Sequence, residues 1–278
     1  MTPQETLEAL SAAEIGGAVF WMVVSALVGW AIVWRFPLRS PRGPREPPLW
    51  GGADVLVGVG ALILSEIIFV GLAVGLRGGL AGGYAVTIQI VALCLACVVI
   101  ALRVRAVLGQ PLETLGLRPT SWQNVAIVVA LSIPARFFIG GLALLWQALL
   151  VHGFDVELEQ QEAVEIIAEE LREGRHLSVG LLVLGGTALA PLWEEFFFRG
   201  FLFAWLERRL GLWGGALLSG FLFALVHRSL DVFVPLWFLG VVLAWLYARS
   251  RSLVVPIVFH FLFNATTMAV LLATGGEM

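Results

Sequence analysis

Eight separate stretches of this chain are long and apolar enough, or nearly so, to cross a lipid bilayer, and that pattern limits its fold more than anything else in the sequence. A hydrocarbon core about 30 Å thick takes about 20 mostly apolar residues per helix. The runs are Ile15–Trp34, Val55–Leu76, Tyr84–Leu102, Val125–Val151, Leu177–Leu206, Leu212–His227, Val232–Ala248 and Leu253–Ala273. The sixth and seventh are short, which leaves their ends open. Of the 278 residues 59% are hydrophobic and 13% charged, against about 25% charged in soluble domains. The mean hydropathy is +0.93. The expected fold is all-α, a polytopic membrane helix bundle of about eight transmembrane helices. A net charge of -3 with no basic tract argues against nucleic acid as a partner and leaves the lipid bilayer as the surrounding medium.

Every basic residue is arginine, 17 in all, and positive charge stays on the cytoplasmic side of a membrane. With the N-terminus outside, the inner connections hold eleven: Arg35, Arg39, Arg42, Arg45, Arg103, Arg105, Arg118, Arg208, Arg209, Arg249 and Arg251. The outer connections hold Arg77, Arg172, Arg175 and Arg228. The expectation is a multi-pass protein of the cell (inner) membrane with both termini extracytoplasmic. The first fourteen residues contain no arginine or lysine, so the charged start of a cleavable signal is missing and the first run reads as a retained helix.

Between the runs, Pro37 to Pro48 packs five prolines and three arginines into twelve residues. Proline removes the amide and clashes with the preceding turn, so this segment reads as a stiff cytoplasmic linker. Asp155 to Arg175 carries eight acidic residues, with Val164, Ile167, Ala168 and Leu171 at helical spacing, the pattern of an amphipathic helix capping the bundle. Residues 1–176 would thus hold four membrane helices, the linker and the acidic helix, and residues 177–278 a second four-helix unit. Gly71-x-x-x-Gly75 is a small-residue pair that permits close helix approach. Cys94 and Cys97 form a C-x-x-C inside an uncharged run, where they read as packing residues, because redox or metal chemistry needs an accessible thiolate.

Ionisable groups at membrane depth are costly and call for a reason. Glu194, Glu195 and Arg199 lie inside the fifth run, Glu66 in the second and Arg136 in the fourth. Glu195 and Arg199 are four apart and share a helical face, so they can neutralise each other; Glu194 lies about 100° further round, without a built-in partner. The Glu195–Arg199 pair could equally serve to lock helix packing. Glu66 and Arg136 are candidates for lining a polar cavity or for pairing with each other or with backbone carbonyls. His227 ends the sixth run, and His260 and Asn264 share a face in the eighth. Each of these groups must be buried within the bundle to be tolerated in lipid. Together they suit activation of water for attack on an amide: a carboxylate as general base, an imidazole sharing the proton, and an imidazole and a carboxamide donating to the oxyanion. Glu194, His227 and His260 also make a ligand combination found at catalytic zinc. The H-E-x-x-H signature is absent, and the residues alone do not choose between zinc and a glutamate mechanism without cofactor.

The ordered set Glu194-Glu195-x-x-x-Arg199, Phe223-x-x-x-His227 and His260-x-x-x-Asn264 resembles the three-motif signature of the CPBP intramembrane endopeptidases. That family includes the type II CAAX prenyl endopeptidases and bacterial proteins linked to bacteriocin processing and immunity. The resemblance runs from about Leu177 to Thr267. It implies an endopeptidase acting on a membrane-embedded or lipid-anchored protein or peptide, by the glutamate-dependent route. Glu194 with His227 would activate the water, His260 and Asn264 would form the oxyanion hole, and Glu195 and Arg199 would position them. A non-proteolytic scaffold or immunity protein of the same fold is the alternative; a transporter using Glu66, Arg136 and the glutamates as a relay is a third, weakened by the lack of an inverted repeat. One geometric conflict stands. At 1.5 Å per residue, His260 lies about 12 Å and His227 about 24 Å from the inner ends of their helices. Tilt, a break near Gly220, or a misassigned short span must reconcile them.

Overall fold

The computed structural model describes residues 12–40, 47–75, 82–158 and 162–274. Ten helices in that set are α1 (Ala12–Arg35), α2 (Gly52–Gly75), α3 (Gly82–Leu102), α4 (Trp122–Phe154), α5 (Glu162–Arg172), α6 (His176–Leu184), α7 (Ala190–Glu195), α8 (Ala204–Val226), α9 (Phe233–Ser250) and α10 (Val254–Ala273). No strand occurs among the described residues. Arg42 and Arg45 of the proline-rich linker, Arg77, and the ends of the chain lie outside them, as do residues 159–161 of the acidic segment.

Seven continuous helical stretches are long and apolar enough to cross a membrane. One of them, His176–Val226, is 51 residues long, which as a straight rod would measure about 75 Å. It is bent back on itself. Gly211 has φ 71° and ψ 178°, a region open essentially to glycine alone. Beyond it the chain returns along its own path: a Cβ on Gly215 would stand 2.8 Å from the Glu207 amide nitrogen, and Ser219 Oγ donates to Phe198 O at 3.2 Å. The hairpin restores the two separate runs seen in the sequence, so the described residues make eight limbs. The fourth limb, α4, is longer than its apolar run. It starts on an N-cap, Ser121, whose hydroxyl accepts from the Asn124 amide, and it continues through the buried Pro134.

The arginine-bearing connections gather at one end and are tied together. Asn124 Oδ1 accepts from Arg39 N at 2.9 Å, Gln110 bridges Leu49 and Pro47, Leu253 N donates to Gly116 O, and Arg251 pairs with Glu207. Trp50, fully buried, donates from Nε1 to Phe201 O at 3.0 Å and stacks on the Phe201 ring. The segment entering α2 is therefore a strap pinned against the hairpin. At the opposite end α5 lies with Ile167 against Leu182 and Leu271. Its Glu170, buried although acidic, takes two bonds from Arg175 at 2.8 and 2.9 Å, and those bonds raise the Arg175 pKa above its ordinary value.

Two glycine readings change. Gly220 lies inside α8 and is no break; it is a crossing point, where a Cβ on Gly240 of α9 would come within 2.6 Å of Gly220 Cα. Gly71, in contrast, faces open space, with nothing within 4 Å of a Cβ placed there. Small residues bring backbones together at Gly220 and Gly240 because a neighbouring helix happens to cross there. Cys97 is buried with Sγ 3.6 Å from Trp193 O, and both cysteines are free thiols.

Candidate active site

The helix carrying the glutamates is irregular where it carries them. Between α6 and α7 it widens into a π stretch, Gly185–Leu189, and after Glu195 into a second, Phe196–Phe203. Single π turns occur frequently at functional sites. The six-residue α7 between them presents Glu194 and Glu195, both buried, toward α10.

Arg199, Glu195 and His260 form a linked chain there, with Glu194 standing at its end. Arg199 Nε lies 3.2 Å from Glu195 Oε2, with both side chains wholly buried. Glu195 Oε1 is 2.8 Å from His260 Nδ1, and His260 Nε2 is 3.7 Å from Glu194 Oε2. Arg199 also donates to Gly240 O and lies 4.4 Å over the Phe223 ring. The carboxylate next to Arg199 accepts the Nδ1 proton, which leaves His260 Nε2 facing Glu194. Glu194 Oε2 is buried and has no hydrogen-bond partner among the described residues. A buried carboxylate oxygen left unpaired in a native fold calls for an explanation.

His227 is reached through an aromatic ring rather than directly. Phe223 contacts His227 at 4.7 Å between ring centroids and His260 at 5.8 Å. The His227 Nδ1 hydrogen bond to Phe223 O at 2.7 Å requires Nδ1 to carry the proton, so a neutral ring has its lone pair on Nε2. Asn264 Nδ2 donates to Gly186 O in the first π stretch at 2.9 Å. The depth conflict has a geometric answer. Ser219 pairs with Phe198, so on the returning limb Phe223 is level with the glutamates and His227 stands about one turn beyond them. Along its own limb Gly211 lies about 18 Å from Phe223, whereas Leu253 lies about 10.5 Å from His260, so the two helices start at different depths.

The other membrane charges do not meet each other. Glu66 accepts from Gln89 Nε2 at 2.9 Å, between α2 and α3. Arg136 donates to Thr267 Oγ1 at 2.7 Å, between α4 and α10. On the side toward Gly211 the site is closed by fully buried Leu115, Phe201, Phe203 and Leu253, whereas His227 at the other end is exposed. Phe223 and Trp50 are the residues that sequence reasoning passed over; Phe223 is in the motif, but an aromatic ring in an apolar run gives no sign of being a hub. Zinc is not supported by the arrangement: among the described residues no three His, Cys, Asp or Glu side chains converge as ligands. The bond from His260 Nδ1 to Glu195 leaves Nε2 as the free nitrogen of that ring.

Fold and site together define a polytopic helical membrane protein with a carboxylate–imidazole relay buried in its C-terminal limbs. Residues 176–266 of the 278 match the family model described as type II CAAX prenyl endopeptidase Rce1-like, so this segment is similar to that family. No curated protein and no solved structure matches the chain. The matched segment runs from the start of α6 to the stretch of α10 just past Asn264, and it contains every residue of the relay.

Proposed function

We propose that the chain is an intramembrane endopeptidase that hydrolyses a peptide bond in a membrane-embedded or lipid-anchored protein or peptide, near a tail or leader. The observation that carries this reading is the buried, unpaired Glu194 oxygen beside a histidine whose other nitrogen is fixed by Glu195. Glu194 removes a proton from the attacking water. His260 Nε2, left with a lone pair by the Nδ1–H bond to Glu195, takes that proton over and, once protonated, donates to the developing oxyanion, with Asn264 as the second donor on the same helical face. His227, one turn toward the open end, accepts from the water at Nε2, and the leaving amine departs with the proton taken from that water. Glu195 and Arg199 hold His260 in its tautomer and orientation, as a buried carboxylate does in hydrolytic triads. No cofactor enters these steps.

The test uses purified protein in vesicles with a prenylated C-a-a-X peptide, the substrate type named in the matched family, and proteomics of membrane-protein termini beside it. Glu194→Gln should keep the fold and lower kcat at least about a hundredfold, the scale of losing general-base catalysis. Unchanged cleavage by Glu194→Gln would discard the assignment. A phenotype that survives loss of Glu194 and His260 together would favour the scaffold reading.

A further inference from the structure

Arg136 is a half-buried cation within a membrane limb, and the described residues give it no carboxylate. Its Nη1 donates to Thr267 Oγ1, and its guanidinium lies 5.0 Å from the Phe263 ring centroid. The Thr267 hydroxyl donates in turn to Phe263 O at 3.1 Å, so it is held facing the guanidinium as an acceptor. A hydroxyl and a phenyl ring orient a guanidinium but do not neutralise it. Five N–H donors in a fixed fork suit a carboxylate, and a charge retained at this depth points to a functional counter-ion.

The position of that fork is informative. Thr267 follows His260 by seven residues on α10, about 10.5 Å along the helix and only about 20° round it. His260, Asn264 and Thr267 therefore line one face that leads from the glutamates to Arg136. Three residues of extended peptide cover about 10 Å. A substrate whose scissile carbonyl lies at Glu194 and His260 brings a carboxylate three residues downstream to the guanidinium.

We infer that Arg136, oriented by Thr267, binds the C-terminal carboxylate of the substrate and thereby measures the distance from chain end to scissile bond. The inference rests on the peptidase reading. Arg136 is a specificity residue in it, and none of the catalytic steps passes through it.

The experiment compares two versions of one fluorescent peptide, with a farnesylated cysteine three residues before its end, as free acid and as C-terminal amide, in phosphatidylcholine vesicles. The wild-type protein is expected to cleave the acid with a KM about tenfold below that of the amide, the scale of one hydrogen bond to a charged group, and with similar kcat. Arg136→Gln should bring the acid KM to that of the amide and leave the amide unchanged. Thr267→Val, which keeps the side-chain shape, should shift the acid KM in the same direction and guards against a folding defect in the first variant. Equal KM values for acid and amide in the wild type, or a preference that persists in Arg136→Gln, would overturn the inference. So would a loss in Arg136→Gln that is equal for both peptides and scales with anionic lipid, which would assign the guanidinium to a headgroup phosphate. If neither peptide is cleaved, the peptidase reading fails for such substrates, and binding to the Glu194→Gln protein decides the anchor separately. Tighter binding of the acid, lost on adding Arg136→Gln, supports it; equal or absent binding sinks it.

Discussion

Arg199 sits wholly buried between the Glu195 carboxylate and the Phe223 ring, and a pair of this kind holds only while both members are present. Removing one charge strands the other, at a cost of about 3–5 kcal/mol. Arg199→Met is therefore expected to lower thermal stability in detergent strongly, and Glu195→Gln combined with it should restore part of the loss. If the double variant is as unstable as the sum of the singles, the two side chains are not coupled and the relay is misdrawn. At this scale the sequence was informative about charges: glutamates, an arginine and histidines stand out in apolar runs because each is expensive there. It marked Phe223 only as a motif position and was silent on Trp50. An aromatic ring in a membrane limb looks the same whether it fills space or organises three neighbours.

Helix limbs were legible wherever a run of apolar residues was long, and the hairpin appeared as two runs parted by Glu207, Arg208 and Arg209. The π stretches on either side of α7 were not legible, since widening a turn needs no particular residue type. Nor could a helix crossing be assigned, because a glycine declares itself only through what lies opposite it. Gly240→Ala places a methyl 2.6 Å from Gly220 Cα, backbone against backbone, and should destabilise by about 1–3 kcal/mol. Gly71→Ala, facing open space, should be neutral. Thermal unfolding of the two variants side by side checks the crossing; equal effects would refute it. Trp50→Phe keeps the stacking on Phe201 but removes the indole N–H, and leaves a carbonyl short of a bond at about 1–3 kcal/mol.

Taken whole, the bundle has one end crowded with arginine connections and packed shut, and another at which His227 is exposed. By the positive-inside rule the crowded end is expected on the cytoplasmic side, and on that expectation the site opens on the far side. A cysteine placed at Ser229 in a cysteine-free background should then react with a membrane-impermeant maleimide added to intact cells, and one placed at Arg209 should react only after lysis. The reverse pattern would invert the orientation. Trp50 links the crowded end to the helix that carries the glutamates. Its indole bond terminates on Phe201, in the stretch that starts directly after Glu195, so the strap outside the bundle and the carboxylates within it form one mechanical train. A displacement of that strap would be passed through the indole to the helix that carries the carboxylates.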